Sequence, residues 1–536
     1  MDSATFAAID VGSNAMRLKI VEAKADGGVE TVHQYRAPVR LGHEVFLTGF
    51  LNEEVIEEAV GAFAEFRGVL DESQVDTTRA IATSATREAI NGDKLVERIY
   101  NSSGIQLERI SGGEEARLVQ LAVTRKIDLH DKIALVIDIG GGSVEFDVID
   151  HGSIVYSNSL RLGTVRLHET FLRTDAVSDL QVLLLKAYME QLLETTLDAI
   201  NEHEIDLVLG TGGNVEELGR QLGVDTEKEG FPQDVRFIPL RAFQGFVKEI
   251  SKLSIKGRAE RYNMRPDRAD VILPASLVLS EVVSNVVGAQ GLYAVNVGLK
   301  DGVLVEMVNR FRNSWDVTSE EAEIMKAATA LGHKYHFHLG HAEQVRYLAE
   351  LLFNQLQPLH QLDAESRMLL RVAATLHEIG GYVNPFEHHK HSEYLIRNSE
   401  IVGLKSNQIG LIANIARYHR KAFPSSQKPS HFHFQELSYA EKRKMTKLAA
   451  ILRIADALDR QHKSLVEDLR VKILDDVIEI DVRSFSDCIL ERWHLKEKGQ
   501  LFTHTFGYSI DLLVNGKIGK DSKATGCALE PSVITG

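Results

Sequence analysis

Two short apolar runs in this chain each end in an aspartate, and each aspartate is followed by a glycine turn and an alternating stretch. The first segment covers Phe6–Asn14 and the second Ala134–Ser143, with Asp10 and Asp138 in equivalent places. This pattern predicts a strand, a tight turn and a second strand in both copies. An ordinary hairpin explains either copy alone. The repeated aspartate favours two phosphate-binding hairpins facing one cleft, because glycine lets backbone N–H groups approach a polyanion.

Strands and helices continue to alternate after the first hairpin. An amphipathic helix is predicted for Glu53–Leu70, and Arg79–Ala89 is predicted to be a short strand running into a turn or helix start. Ser153–Leu162 is predicted to be a further strand, and a helix opens at Ser178 with a capping-box pattern. Asp206–Asn214 is a third apolar strand that enters a glycine turn. These elements predict an α/β phosphate- or nucleotide-binding core of two similar lobes.

The pattern changes near residue 310. From Thr318 to about Arg460 it is helical almost throughout, which predicts a separate all-helical domain. Strand alternation returns after Val466 and predicts a small α+β unit, and the stretch after Leu513 has the composition of a loose tail. The expected domains are a first lobe at 1–129, a second lobe at 130–308, a helical domain at 309–460, a small α+β domain at 461–513 and a tail at 514–536.

The composition is typical of a soluble multidomain protein, with 536 residues of which 44% are hydrophobic and 26% charged. Cys488 and Cys527 are the only cysteines, and no basic segment with an apolar core opens the chain, which predicts a cytoplasmic location. The most apolar region, Val271–Val297, is interrupted by polar residues, so no membrane span is expected. The net charge of −15 argues against duplex nucleic acid as a partner, and a polyanion would need a locally basic cleft.

Four separated motifs give the chain a specific resemblance to a known family. They are Asp10-Val11-Gly12-Ser13-Asn14 with Arg17, Thr83-Ser84-Ala85-Thr86-Arg87-Glu88-Ala89, Ile110-Ser111-Gly112-Gly113-Glu114-Glu115-Ala116-Arg117-Leu118, and Asp138-Ile139-Gly140-Gly141-Gly142-Ser143-Val144-Glu145. In order and spacing they resemble the exopolyphosphatase / guanosine pentaphosphate phosphohydrolase family, and Leu162–Arg166 and the helical region extend the likeness. The resemblance implies the long, four-domain type, with two lobes of the actin-like (ribonuclease-H-like) superfold.

The resemblance also implies hydrolysis of a terminal phosphoanhydride with Mg²⁺ as the cofactor. Glu115 would be the base that deprotonates water for in-line attack, and the family register selects it over Glu114. Asp138 and Glu145 would hold the Mg²⁺, although the pattern of Glu145 alone also fits a solvated strand face. Asp10 ends a strand before a glycine turn and is a further candidate for the metal.

The candidate phosphate ligands belong to the glycine turns and to nearby arginines. Arg87 would assist catalysis by neutralising charge on the phosphate, although its pattern alone also fits a surface arginine at a helix end. The resemblance places a further cleft arginine at position 268. The phosphate-binding candidates are Gly12, Ser13, Asn14, Arg17, Gly140, Gly141, Gly142, Ser143, Gly212 and Arg268.

The helical region carries a second group of candidate ligands. The order of His341, His377, Glu378 and Asp456 resembles the HD metal-phosphohydrolase superfamily, with glutamate where that superfamily has aspartate. There the corresponding residues ligate one divalent metal, so the resemblance implies a possible second metal site at these four positions. The longer glutamate would displace its carboxylate, so a degenerate site that serves as a scaffold or binds a polyanion is the alternative.

A basic channel is expected beside these histidines. Lys390, Arg420 and Lys421 would line it and hold a long phosphate chain between cleavages. The resemblance implies a homodimer, because the long members of the family pair. A channel crossing the dimer would also compensate for the acidity of a single subunit, which leaves little uninterrupted basic surface.

The leading functional hypothesis is a Mg²⁺-dependent exopolyphosphatase that shortens inorganic polyphosphate from its end. Removal of the 5′ γ-phosphate of guanosine pentaphosphate is the alternative, because both substrates end in the same phosphoanhydride. A kinase of the same superfold would need a base for an acceptor hydroxyl, and nothing beyond Glu115 fills that place. A non-catalytic alarmone- or nucleotide-binding regulator is the third hypothesis, and the presence of Glu115, Asp138 and Glu145 counts against it.

Overall fold

The structure of the chain is a computed structural model that describes residues 3–25, 27–174, 177–312 and 317–518. Its internal contacts divide the chain into two compact units. Unit 1 comprises Met1–Glu323 with Val402–Lys405, and unit 2 comprises Ile324–Ile401 with Ser406–Gly536. Most of the expected tail, from residue 519 onward, lies outside the described residues.

Unit 1 is built on two mixed β-sheets, which confirms the α/β class. Its strands are β1 (Ala4–Val11), β2 (Met16–Ala23), β3 (Val29–Ala37), β4 (Thr77–Ala82), β5 (Leu107–Arg109), β6 (Ile133–Ile139), β7 (Val144–Asp150), β8 (Ser153–Leu160), β9 (Leu207–Thr211), β10 (Val224–Asp225), β11 (Arg236–Pro239) and β12 (Gly291–Ala294). The sheets have the orders β3-β2-β1-β4-β5 and β10-β11-β12-β9-β6-β7-β8.

The two sheets repeat one topology. In the first, β1 is antiparallel to β2 and parallel to β4. In the second, β6 is antiparallel to β7 and parallel to β9. The run β3-β2-β1-β4 therefore returns as β8-β7-β6-β9, and the two glycine turns connect equivalent strand pairs. This is the internal repetition that the paired sequence motifs predict.

Helices connect the strands of unit 1. They are α1 (Gly42–Thr48), α2 (Glu53–Glu72), α3 (Ser84–Glu88), α4 (Gly92–Ser103), α5 (Gly112–Lys126), α6 (Thr164–Phe171), α7 (Asp179–Asn201), α8 (Gly213–Leu222), α9 (Leu240–Ile250), α10 (Ile255–Arg261), α11 (Pro266–Ala269), α12 (Ile272–Asn285) and α13 (Leu299–Phe311). The amphipathic helix expected from Glu53 is α2, and Asn52 caps it by accepting the N–H of Val55 at 2.8 Å. The capping box expected at Ser178 opens α7.

Three apolar clusters hold the sheets and helices of unit 1 together. One packs α2, through Phe63 and Phe66, against the first sheet, and another packs the second sheet against α7 and α12. The third joins β1, α5, β6 and α13, with Val123 of α5 and Val303 of α13 among its buried members. Burial of this kind contributes about 25 cal/mol per Å² of apolar surface, so the third cluster fixes α5 firmly between the two sheets.

Unit 2 is helical up to Ala457, as the sequence predicts, and then contains a four-stranded sheet. Its helices are α14 (Val317–Lys334), which begins within unit 1, α15 (Leu339–Gln355), α16 (Gln357–His360), α17 (Ala364–Leu376), α18 (His388–Arg397), α19 (Ser406–Arg417), α20 (Phe432–Gln435), α21 (Tyr439–Ala457), α22 (Ile489–Lys498) and α23 (Gln500–Phe506). Its strands, in sheet order, are β13 (Val466–Ile473), β14 (Val477–Ser484), β15 (Ser509–Val514) and β16 (Lys517–Ile518). In the described part of the chain no helix is long and apolar enough to cross a membrane.

Candidate active site

The two glycine turns of unit 1 have the same backbone construction. Each consists of four residues between paired antiparallel strands. In the first turn the N–H of Gly12 donates to the carbonyl of Ala15 at 3.2 Å, and in the second the N–H of Gly140 donates to the carbonyl of Ser143 at 3.1 Å. The sequence duplication is therefore a duplication of local geometry, as the hairpin interpretation predicts.

The residues paired with the two aspartates differ in charge. Cross-strand register places Arg17 opposite Asp10, and Glu145 opposite Asp138. Nη1 of Arg17 lies 3.2 Å from Oδ2 of Asp10, so the first aspartate is neutralised within its own hairpin. Asp138 instead accepts the hydroxyl proton of Thr211, with 2.7 Å between Oγ1 and Oδ1. The second hairpin therefore presents two carboxylates where the first presents an ion pair.

Glu115 joins the two acids of the second hairpin. Each of Glu115, Asp138 and Glu145 offers an oxygen within 4.8 Å of the others, and all three residues are buried. The hydroxyl of Ser159 donates to Oε1 of Glu145 at 2.9 Å, while Oε2 is buried and has no hydrogen-bond partner among the described residues. Asp10, the third expected metal ligand, lies outside this group, and Glu115, expected as the base, lies within it.

The start of α5 turns its two adjacent glutamates in different directions. Ser111 caps the helix by accepting the N–H of Glu114 at 3.2 Å. The side chain of Glu114 is engaged by Arg117, with Nε 2.8 Å from Oε2, and by Arg79 at 3.2 Å. Glu115 lines the cleft between the two glycine turns. The register that selected Glu115 over Glu114 agrees with this placement.

Burial and crowding affect the pKa values of the three acids. Burial raises the pKa of Glu115 to about 8, and repulsion from Asp138 and Asp10 acts in the same direction, against the attraction of Arg87. Burial is also the main cause that raises the pKa of Asp138 and that holds the pKa of Glu145 well above its ordinary value. Three buried carboxyl groups this close together could hold a metal ion, which would offset their mutual repulsion.

Around these acids lies a cleft of about 690 Å³ lined by seven basic and six acidic residues. Its basic residues are Arg17, Lys19, Arg36, Lys126, Arg265, Arg268 and Lys300. Arg268 is the most deeply buried of them, and its Nη1 contacts the amide oxygen of Asn214 at 2.5 Å. Burial, followed by repulsion from Arg17, lowers the pKa of Arg268 to about 10. A buried guanidinium held by a neutral amide favours an anionic ligand, because a buried charge is costly without a counter-charge.

Most of the expected phosphate ligands line this cleft. They are Gly12, Ser13, Asn14, Arg17, Gly140, Gly141, Ser143, Gly212 and Arg268. Gly212 has φ of +93°, and a Cβ atom there would lie 2.9 Å from the carbonyl oxygen of Ile139. Only glycine therefore fits the third turn without strain.

Three expected residues, Gly142, Arg87 and Glu145, lie outside the lining of the cleft in the described structure. Gly142 packs against a neighbour, because a Cβ atom there would lie 2.2 Å from Oγ of Ser84. Arg87 donates from Nη1 to the carbonyl of Ile110 at 2.8 Å and lies 3.5 Å from Oε2 of Glu115. It therefore contacts the proposed base directly, and in this conformation it does not reach the space of the cleft.

Sequence reasoning missed the residues that hold the second turn. The N–H of Thr164 donates to the carbonyl of Gly140 at 3.0 Å, so the start of α6 clamps the turn. The preceding Gly163 allows this contact, because a Cβ atom would lie 2.2 Å from the backbone of Gly142. The similarity noted at Leu162–Arg166 was the only sequence signal for this clamp.

The four residues expected to form a second metal site come together in unit 2. His341, His377, Glu378 and Asp456 each offer a ligand atom within 4.8 Å of the others. His388 and His419, which were not among the expected ligands, form a second such group with Glu378. All these residues except Glu378 are buried.

A basic pocket of about 750 Å³ lies in the same unit. The three expected channel residues, Lys390, Arg420 and Lys421, all line it, together with Arg417 and Lys428. Lys390 forms an ion pair with Glu387, which also lines the pocket, so its charge is partly neutralised. The pocket is a concave cationic surface with the chemistry that an anionic chain requires.

Comparison with known proteins agrees with this geometry. The model of the Ppx/GppA phosphatase family matches residues 20–311, and the model of Ppx/GppA phosphatase domain III matches residues 325–499. Fold and matches together define a hydrolase that acts on phosphoanhydride bonds. The chain belongs to the Ppx/GppA phosphatase family, which confirms the resemblance described above.

Individual relatives carry two different names. A guanosine-5′-triphosphate,3′-diphosphate pyrophosphatase of Aeromonas hydrophila is 26% identical over 85% of this chain and 87% of its own. A protein of that name from Photobacterium profundum is 24% identical over 79% of this chain and 82% of its own. The crystal structure of an exopolyphosphatase from Cytophaga hutchinsonii has a TM-score of 0.53 and 28% identity, covering 57% of this chain and 98% of that one.

Proposed function

We propose that the cleft of unit 1 hydrolyses the terminal phosphoanhydride of inorganic polyphosphate and releases phosphate. The observation that carries the proposal is the convergence of Glu115, Asp138 and Glu145 beside a cleft that two glycine turns and several arginines and lysines line. Phosphoryl transfer depends on positioning and on neutralising charged oxygens, and this cleft offers groups for both.

We further propose Mg²⁺ as the cofactor, held by Asp138 and Glu145 next to Glu115. These residues suit it, because hard carboxylate oxygens are its usual protein ligands and Oε2 of Glu145 is buried without a hydrogen-bond partner among the described residues. When bound, Mg²⁺ supplies neutralisation of the negative oxygens on the transferred phosphate.

The chain's own residues would perform the remaining steps. Glu115 would accept a proton from the attacking water, and its raised pKa of about 8 makes it an effective base near neutral pH. The backbone of the two turns, with Arg17 and Arg268, would bind phosphate oxygens. Arg87, which contacts Glu115, would hold that carboxylate in place.

Guanosine pentaphosphate is a second candidate substrate, and one observation favours it. The relatives matched along most of the chain are named as guanosine-5′-triphosphate,3′-diphosphate pyrophosphatases, whereas the exopolyphosphatase structure covers 57% of it. Measuring kcat/KM for long-chain polyphosphate, a short chain and guanosine pentaphosphate on one preparation would decide between them. Polyphosphate should give the highest value. A higher value for guanosine pentaphosphate would make the alternative correct, and phosphate release from neither would favour a binding protein.

We propose that the basic pocket of unit 2 retains long polyphosphate between cleavages. Changing Lys390, Arg420 and Lys421 to Ala should raise KM for long chains by roughly tenfold and leave short chains unaffected, because each cation adds affinity only where the substrate reaches it. Added salt should weaken long-chain binding most. Equal losses on both substrates would contradict the proposal.

The HD-like character of the helical region, the homodimer and the cytoplasmic location are part of the same proposal, and sedimentation would test the dimer.

A further inference from the structure

The helix that bears Glu115 begins with a weak first turn. Ser111 is the N-cap of α5, and Gly112 and Gly113 occupy its first two helical positions. Glycine loses more backbone freedom than any other residue when it enters a helix, so it is a poor helix former. Glu115 is the fourth residue of the helix. The direction of its side chain therefore depends on the contacts that hold this turn from outside.

A short segment that is distant along the chain makes such contacts. Val402–Lys405 lies in the connection between α18 and α19, yet its own contacts place it in unit 1. Leu404 is fully buried, and Gly403 has φ of +85°, a backbone conformation that other residues adopt only with strain. The turn at Gly403 and the burial of Leu404 together fix the position of the Leu404 carbonyl.

The carbonyl of Leu404 orients the cap of α5. The hydroxyl of Ser111 donates to the carbonyl oxygen of Leu404 at 3.2 Å and accepts the N–H of Glu114 at 3.2 Å. A serine hydroxyl has a single proton, so the bond to Leu404 leaves a lone pair for the N–H of Glu114. The carbonyl of Ser111 in turn accepts the N–H of Glu115 at 3.0 Å. The backbone bonds of both glutamates thus begin at the residue that Leu404 holds.

Lys405 reaches the same turn through a chain of ion pairs. Its Nζ lies 2.9 Å from Oε1 of Glu108, and Nε of Arg79 lies 3.1 Å from Oε2 of the same carboxylate. Arg79 also lies 3.2 Å from Oε1 of Glu114. Burial is the largest influence on the pKa of Glu108 and raises it, but the contacts with Lys405 and Arg79 outweigh burial and lower that pKa. The chain therefore consists of charged groups from Lys405 to Glu114.

Packing alone would account for the burial of Leu404. It does not account for the bond between the Leu404 carbonyl and the helix cap, or for the ion pairs that lead from Lys405 to Glu114. Both sets of contacts converge on the first turn of α5, immediately before Glu115.

We propose that Val402–Lys405 is a positioning segment for Glu115, a role that rests on the proposed function of Glu115 as the base. Leu404 acts through the hydroxyl of Ser111, and Lys405 acts through the side chain of Glu114. The segment holds the start of α5 so that the carboxylate of Glu115 faces the cleft.

The first test changes the cap in the full-length protein with Mg²⁺. Phosphate release is measured with short-chain polyphosphate or guanosine pentaphosphate, whichever the unchanged protein hydrolyses faster. Ser111→Ala should lower kcat by about tenfold and change KM by less than about twofold, because a displaced base is costly while the glycine turns are intact. Ser111→Thr keeps the hydroxyl and should recover most of the rate. Unchanged kcat in a folded Ser111→Ala protein would overturn the proposal.

The second test moves the segment and leaves the sequence of α5 unchanged. Gly403→Ala strains the turn before Leu404 and should lower kcat by about threefold or more, with KM again nearly constant. Gly288→Ala is the matched control, because Gly288 has φ of +82°, is exposed and does not line the cleft. It should lower the melting temperature as Gly403→Ala does and keep kcat. Equal kcat in the two glycine variants would show that the segment only stabilises the fold.

A third measurement separates this proposal from the assignment of the base. In a Glu115→Gln background, Ser111→Ala should lower kcat no further, because its effect passes through Glu115. A further loss of about tenfold in that background would overturn the positioning role and leave the base in place. Near-normal kcat in Glu115→Gln itself would overturn the base, and the positioning role with it.

Discussion

In the first hairpin of unit 1 the residue opposite the aspartate is Arg17, and in the second it is Glu145. The two turns share four-residue length, the same closing hydrogen bond and equivalent places in their sheets. Their backbones therefore have the same construction, while the paired side chains are a neutral ion pair in the first hairpin and two acids in the second. The two copies therefore share one backbone geometry and differ in the charge of the residue opposite the aspartate.

The division has a physical reason. A phosphate chain that is bound only by cations is held but not attacked, and a site of acids alone repels it. The first hairpin can bind anionic oxygens directly, because Arg17 already balances Asp10. In the proposed mechanism the second hairpin, joined by Glu115, requires a divalent cation. Four predictions test whether the two copies differ in this way, from the largest expected effect to the smallest.

The equivalent aspartates should respond very differently to the same change. Asp138→Asn should lower Mg²⁺-dependent kcat by about 10³ or more, because loss of a metal ligand forfeits several kcal/mol of charge stabilisation. Asp10→Asn removes one partner of an ion pair that is partly open to solvent, so a loss of about tenfold or less is expected. Phosphate release at saturating substrate over a range of Mg²⁺ concentrations measures both. Equal losses would mean that the two hairpins share the metal.

Glu115 of α5, the proposed base, gives the next effect. Glu115→Gln keeps size and removes proton acceptance, so kcat should fall by about 10²–10⁴ while KM changes little. Glu114→Gln should act on stability instead, because Glu114 holds Arg117 in a buried ion pair. Steady-state kinetics and thermal unfolding of both variants separate the two roles. Near-normal kcat in Glu115→Gln, together with a loss of kcat in a folded Glu114→Gln protein, would show that Glu114 and not Glu115 is the base.

The charge of Arg17 in the first hairpin should influence substrate binding more than the rate of hydrolysis. Arg17→Ala should raise KM by roughly 10- to 100-fold, the value of a charged hydrogen bond of about 1.5–3 kcal/mol, and leave the Mg²⁺ requirement unchanged. Arg17→Lys should recover part of the affinity, because the charge remains but the planar fork is lost. A change in Mg²⁺ dependence without a change in KM would contradict the assignment.

The smallest effect concerns stability without metal. Burial raises the pKa of Glu115 from 4.5 to about 8, so the folded state keeps a proton that the unfolded state loses between those values. This contribution to stability is complete below about pH 4.5 and is lost as the pH rises to about 8. In EDTA the melting temperature should therefore fall across this window, and Mg²⁺ or Glu115→Gln should reduce the slope. A melting temperature that rises toward pH 8 would show that Glu115 is ionised in the metal-free protein.

The sequence predicted the elements of the fold more completely than the relations between them. Apolar runs, alternation and caps are local signals, so α2, α7 and the strands of both hairpins were predictable. Pairing Asp10 with Arg17 follows from hairpin register, which the turn length fixes. The contact of α6 with the second turn depends on residues distant along the chain from the turn's own pattern, and no local signal shows it.

The site was predictable in kind and less so in detail. Carboxylates and glycine turns indicate phosphate chemistry, and the family register selected Glu115, which lines the cleft. Packing places Arg87 and Gly142 outside the cleft lining. Ser84 occupies the space beside Gly142, and Arg87 donates to the carbonyl of Ile110. Likewise His388 and His419 meet Glu378 only because α18 and α19 lie side by side. The spacing of residues along the chain does not show which distant residues come into contact.

One close crossing in unit 1 has a mechanical consequence. A Cβ atom at Gly302 of α13 would lie 1.8 Å from the carbonyl oxygen of Leu118, so the two helices touch backbone to backbone where α5 continues from Glu115. Glu306, one turn further along α13, forms an ion pair with Arg117 of α5. The backbone contact and the ion pair hold the two helices together close to Glu115. The position of Glu115, the proposed base, is therefore set by a helix crossing that has no room for a single methyl group.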